Sequence, residues 1–357
     1  RKVNRQFSLG FFFGGEEWKY KNKVFQEKRI RETITPELFA KSVNALSELL
    51  TINNLNQEKL LYIMKQFEQM VEYVSGRYRS IDAKSRDLYK LYDIGLSAFC
   101  HIGNAGKALE YYEKCKEYAF YVGVDAFLKT NNKLIVCLEE SFEWDKALEI
   151  ATQNVDYQQL ASEMKREILC MGNETDFLDE ARAISQLARI YALQRDEKAE
   201  KFFREALVKL EKGSANYKIT QSYVLHYYAD RNMQKEFDEE ALDYFDGKST
   251  YKQKLRYIMN TDGGSHSTFS TQYALYVLVR GLYCFHQEEI DDVFWEKLCD
   301  LDQLVSKKEK REPGGHPWEI TYKYLEMLAI RRNDEGEREK FFNRRKECLK
   351  DKGEIIV

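Results

Sequence analysis

The chain has 357 residues, of which 43% are hydrophobic and 32% charged, with only 3 Pro and 18 Gly. That composition excludes low-complexity or collagen-like sequence and leaves no long disordered linker. Lys and Arg number 56 against 59 Asp and Glu, a formal charge of −3, so the molecule as a whole is not built to wrap nucleic acid.

The length exceeds that of one compact core and requires two or three domains or a repeat array whose core grows along one axis. Scarce Pro and Gly favour the array. Because the first residue is Arg1 rather than Met, the chain is expected to be a piece of a longer protein whose output domain is absent. The 7 Cys never form a C-x-x-C pair, the usage of a reducing, cytoplasmic compartment. The longest apolar run, Tyr273 to Phe285, is 13 residues and contains Arg280, too short to cross a bilayer. Phe7 to Phe13 is followed by Gly14-Gly15 and charges rather than a cleavage site.

Residues 1–34 read as an N-terminal extension. Phe7, Leu9, Phe11 and Phe13 alternate with other residues before Gly14-Gly15, and Trp18 and Tyr20 alternate again, which predicts a short β-hairpin. The same segment is locally basic, with nine Lys/Arg against three Glu between Arg1 and Arg31.

Residues 35–246 read as helical pairs. Thr35-Pro36 is an N-cap followed by Pro at the first helical position, and Phe39, Val43, Leu46 and Leu50 mark one face. Asn56 caps a second helix whose buried stripe is Leu60, Met64, Phe67, Val71 and Val74. From Asp87 to Tyr118 two helical patterns flank Ile102-Gly103-Asn104. The second begins Lys107-Ala108-Leu109-Glu110-Tyr111-Tyr112, echoed at Lys146-Ala147-Leu148-Glu149, at Lys198-Ala199-Glu200 with Phe202-Phe203, and at Glu240-Ala241-Leu242 with Tyr244-Phe245.

These residues resemble the tetratricopeptide-repeat family, in degenerate form. In that family a small residue lets paired helices approach closely and an aromatic four positions on fills the next groove. Ala108 with Tyr112 and Cys115, and Ala199 with Phe203 and Ala206, match that spacing. The successive intervals Ala108 to Ala147, Ala147 to Ala199 and Ala199 to Ala241 are 39, 52 and 42 residues, longer than the family period of about 34. The resemblance implies an all-α fold, a right-handed superhelical solenoid of antiparallel helix pairs. Residues 247–357 read as irregular helices continuing it: Tyr273 to Phe285, Val293 to Val305, Trp318 to Ile330 and Phe341 to Leu349, with loops at Thr261 to Ser270 and Lys307 to Gly315.

No residues with a catalytic mechanism emerge. The loop Asp262-Gly263-Gly264-Ser265-His266-Ser267 has neither the G-x-S-x-G order nor the order of a phosphate-cradling loop. The five His never occur as H-E-x-x-H or beside a Cys pair, so no metal or cofactor is expected. His286-Gln287-Glu288-Glu289 and Asp291-Asp292 read as a helix end and the next cap. Mixed Glu/Lys runs read as solvated helix faces.

Aligning Ala147 on the repeat places Lys129 and Asn132 on the concave side of the preceding helix, beside Asn131 and Lys133; the next unit contributes Arg182, Ser185 and Arg189. The resemblance implies that such residues hold a peptide, since Asn offers donor and acceptor and Lys supplies charge. The expectation is a non-enzymatic scaffold that binds a peptide or protein in its concave groove, such as the sensor part of a bacterial peptide-responsive regulator. Nucleic acid would enter only through a missing domain, and no membrane partner is expected. The alternative is an assembly or homo-oligomerisation module of a larger protein whose effector or catalytic domain is absent from this chain.

Overall fold

A computed structural model describes residues 34–52, 57–167, 174–260, 268–301 and 316–350. Among the described residues the fold is all-α, with fifteen α-helices and no strand. The hairpin predicted between Phe7 and Tyr20, the Asn56 cap, the 262–267 loop and the 307–315 loop lie outside the described residues. The chain divides into two compact units, Arg1–Ile150 and Ala151–Val357.

The first unit contains α1 (Pro36–Ile52), α2 (Gln57–Val74), α3 (Ile81–His101), α4 (Ala105–Tyr118), α5 (Val124–Glu140) and the start of α6 (Trp144–Glu167). The Thr35 cap forms as expected: Leu38 N–H donates to Thr35 Oγ1 at 3.2 Å. Phe39, Val43 and Leu46 are buried, and the Phe39 ring lies 6.1 Å from that of Phe67 on α2. In α2 the buried stripe is Leu60, Met64, Phe67, Met70 and Val74. Met70 rather than Val71 continues it, because a three-residue step from Phe67 stays on the inward face and a four-residue step then reaches Val74. Gly95 of α3 is a point of close approach: a Cβ there would lie 2.6 Å from Met64 Cε and 2.9 Å from Tyr111 Cδ1.

The second unit contains the rest of α6, then α7 (Glu174–Leu193), α8 (Lys198–Lys209), α9 (Ala215–Asp230), α10 (Gln234–Tyr244), α11 (Tyr251–Asn260), α12 (Thr268–Cys284), α13 (Asp292–Cys299), α14 (His316–Arg331) and α15 (Glu335–Lys350). Helix α12 begins at Thr268, inside the predicted Thr261 to Ser270 loop. Asp291 caps α13, accepting from Phe294 N–H at 2.9 Å, as its position suggests. Helix α7 packs on α8 and α9, α9 on α10 and α12, α12 on α11 and α14, and α14 on α15. The core these pairs enclose includes Phe203, Tyr228, Phe237, Leu278, Trp318 and Phe341.

One backbone device closes five of the helical hairpins. The carbonyls of Phe99, Leu138, Tyr191, Tyr228 and Ala329 accept from the N–H five residues on, at Asn104, Glu143, Asp196, Met233 and Asp334, over 2.8–3.0 Å. In each turn the residue before the donor is left-handed: Gly103, Phe142, Arg195, Asn232 and Asn333 have φ between 55° and 71°. This is the 6→1 bond of a Schellman turn, which satisfies carbonyls the ending helix leaves open.

The small residues behave as the pattern requires. Ala108, Ala147 and Ala199 are fully buried and Ala241 nearly so. Superposing the turns nevertheless corrects the last two alignments, since Ala199 stands three residues after Asp196, which ends its turn. Ala108, Ala147 and Phe237 each donate their N–H to the residue that ends the turn, Asn104, Glu143 and Met233. Phe237, not Ala241, is therefore the counterpart of Ala108, and the interval from Tyr191 to Tyr228 is 37 residues.

Candidate functional site

Within the second unit α7, α9, α12 and α14 follow one another in the packing order, and polar and aromatic side chains meet across several of these contacts. On α7 the residues Arg182, Ser185 and Arg189 stand at intervals of three and four, on one helical face. Each meets α9: Arg182 Nε donates to Asn216 Oδ1 (3.4 Å), Ser185 Oγ and Thr220 Oγ1 share a hydrogen bond (3.2 Å), and the Arg189 guanidinium lies 4.6 Å from the centre of the Tyr223 ring.

Helix α9 repeats the same spacing toward α12 with Tyr223, His226 and Asp230. The hydroxyls of Tyr223 and Tyr273 are 3.0 Å apart and their rings meet edge to face. Tyr276 hydrogen-bonds His226 Nδ1, His226 Nε2 lies 3.3 Å from Asp230 Oδ2, and Arg280 donates to Asp230 Oδ1. Burial holds the Tyr276 phenol well above its ordinary range, so it stays protonated beside His226. Arg280 is almost wholly buried and covers the Tyr324 ring of α14 at 4.3 Å.

These helices enclose an open cleft of about 80 Å³. Arg189, Tyr223, His226, Asp230, Tyr273 and Tyr276 give its wall polar atoms, and Leu193, Phe203 and Ile320 give it an apolar side. Arg280 and His226 already hold the Asp230 carboxylate. Arg189 lines the same cleft, with phenol hydroxyls beside it. Such a wall suits a carboxylate attached to an apolar or aromatic body.

The other sequence-derived candidates are placed differently. Lys129 and Asn132 project from the exposed face of α5 in the first unit, while Asn131, one residue away, is fully buried. Lys133 is tied to α3, 2.7 Å from Asp93 Oδ2 and 3.0 Å from Ser97 Oγ. In the second unit Arg182 is also paired with Asp179 at 3.3 Å, and Ser185 is buried in its contact with Thr220. Of the seven candidates Arg189 alone lines the cleft. The aromatic and His members were not singled out in the sequence, although their intervals repeat: 182/185/189, 223/226/230 and 273/276/280.

Among the described residues no group of three or more His, Cys, Asp or Glu side chains is arranged to hold a metal ion, and no helix is long and apolar enough to cross a membrane. A scan against protein-family models and a search of curated proteins found no match for the chain.

Proposed function

We propose that the chain is a non-enzymatic, tetratricopeptide-like helical scaffold whose stacked helix pairs form a right-handed solenoid and bind an extended peptide or protein segment on the concave side. The observation that carries this reading is the cleft beside Arg189, where α7, α9, α12 and α14 together present a cation and phenols next to an apolar wall. A helix pair used only for packing gains most from aliphatic contacts, and polar groups facing one another across neighbouring helices are costly unless satisfied. Their concentration here supports recognition. The segment inserts one apolar or aromatic side chain into the cleft and sets a carboxylate, from an acidic residue or a chain end, against Arg189. Lys129 and Asn132 of the first unit form a separate candidate contact.

A displayed library of random peptides, panned on the full chain and followed by fluorescence anisotropy, tests the reading. The expected result is enrichment of sequences combining an acidic group with an aromatic or aliphatic residue, whose binding Arg189→Ala weakens at least tenfold, or about 1.4 kcal/mol. Enriched peptides that bind Arg189→Ala and Tyr223→Ala as well as the parent would overturn it.

A further inference from the structure

The α5–α6 turn is the odd member of the five left-handed turns. Where the others place Gly103, Arg195, Asn232 and Asn333, it places Phe142 at φ 60°, a backbone setting that is rare for a bulky residue and costly to hold. The side chain gains no burial in return. Phe142 is 78% exposed, and its ring stands edge-on to that of the half-buried Trp144, with 6.0 Å between centres. A strained aromatic that contributes nothing to the core suits an anchor for another segment. The two rings lie in an acidic stretch, with five Asp/Glu against Lys146 between Glu139 and Glu149.

We propose that the Phe142–Trp144 edge is the docking surface for this chain's own basic N-terminal segment, residues 1–31. That segment carries nine Lys/Arg against three Glu, together with Phe7, Phe11, Phe13 and Trp18. It therefore brings cations to the carboxylates and ring faces, and aromatic rings to Phe142. Its length permits the contact. Helices α1, α3 and α5 run in the same direction: Arg77, just before α3, donates to the Ile34 carbonyl at 2.9 Å, Lys90 donates to Asn44, and Tyr89 and Ser97 of α3 meet Thr130 and Lys133 of α5 in order. Ile34 thus lies at the opposite end of the unit from Phe142. The separation along the 17-residue α5 is about 25 Å, which about eight extended residues cross at about 3.3 Å each. The nearer end, where Phe120 is exposed, is a poorer match, because Arg77 to Asp87 holds four Lys/Arg against two Asp and like charges repel a basic segment.

The test is zero-length carbodiimide cross-linking of the full chain, which joins Lys amines to carboxylates in contact. It is read by proteolysis and mass spectrometry on an equal mixture of ordinary and nitrogen-15-labelled chain. The expected result is Lys19, Lys21, Lys23 or Lys28 joined to Glu140, Glu143 or Asp145 within one chain, in a yield that falls as salt is raised. Phe142→Gly separates docking from folding. Gly suits the left-handed turn, so the denaturation midpoint holds or rises, while the cross-link yield falls about fivefold or more with loss of the anchor. Phe142→Asn, which matches Asn232 and Asn333, is the second variant. Links from these lysines chiefly to Asp82, Glu117 or other carboxylates, links chiefly between labelled and unlabelled copies, or no links would overturn the proposal. So would yields unchanged by both substitutions, or a midpoint that falls together with the yield.

Discussion

The Arg189 guanidinium of α7 lies over the ring of Tyr223 on α9, 4.6 Å from its centre, and the Tyr223 hydroxyl meets that of Tyr273 on α12 at 3.0 Å. A cation held over a ring face is oriented by it, so Arg189 is positioned along the wall of the cleft. Replacement by Lys keeps the charge but loses the planar fork. Arg189→Lys is expected to retain part of the affinity for an acidic peptide and Arg189→Ala little of it, with thermal melting of both close to the parent. Anisotropy titrations beside melting curves check this.

Close approach at two glycines makes a stability prediction. A Cβ on Gly281 of α12 would lie 2.8 Å from Phe237 Cε1 of α10 and would collide with the Tyr251 hydroxyl of α11; Gly95 of α3 is equally confined by Met64 and Tyr111. Since the obstructing atoms belong to buried side chains, relief requires moving packed rings. Gly281→Ala and Gly95→Ala are each expected to cost about 1–3 kcal/mol, measured by denaturant unfolding. The helix-favouring effect of Ala, about 1 kcal/mol, would dominate and stabilise the variants if these sites were open.

The recurring turn makes a prediction of opposite sign. Arg195 holds φ at 58° where the α3–α4 turn has Gly103. A left-handed residue with a Cβ is strained by about 1–2 kcal/mol, part of which Gly returns through the greater freedom of its unfolded chain. Arg195→Gly is therefore expected to stabilise by about 0.5–1 kcal/mol, read as a rise in the denaturation midpoint.

Asp334 couples α15 to pH. Its carboxylate accepts from Trp295 Nε1–H at 2.9 Å and, as N-cap, from Glu337 N–H at 3.2 Å, and these two bonds, the Trp295 bond foremost, hold its pKa below the ordinary value. A lowered folded pKa gives stability that is present above the unfolded value of about 3.9 and is lost as pH falls through the folded value. Asp334→Asn keeps a capping oxygen but cannot ionise. The stability gap between parent and Asp334→Asn is expected to be largest near pH 7 and to shrink as pH falls below about 4, measured by urea unfolding across that range. A gap independent of pH would contradict the assignment.

Helix pairing was legible because its signals are local. The Thr35 cap, the Gly103 turn and the buried alanines each act within one or two turns of chain, where side-chain spacing fixes which face is inward. Asn131 shows how narrow the angular margin is: a step of one residue turns the side chain by about 100°, carrying it from the exposed face of Lys129 and Asn132 into the core. Ala241 misled the register because Phe237, a large residue, takes the small-residue position in α10, and the turn rather than the alanine preserves the repeat. The cleft was the least legible feature. Its contacts join residues 34 apart between α7 and α9 but 50 apart between α9 and α12, since α10 and α11 both intervene, so no single period brings Tyr223 to Tyr273 or His226 to Tyr276.

Hydrogen–deuterium exchange of the full chain, with and without a saturating library-selected acidic peptide, tests the central claim most directly. The account predicts slowed exchange at α7, α9 and α12, around Arg189, Tyr223 and Tyr276, and loss of that protection in Arg189→Ala. Protection confined to other helices, with these three unchanged by the bound peptide, would contradict it.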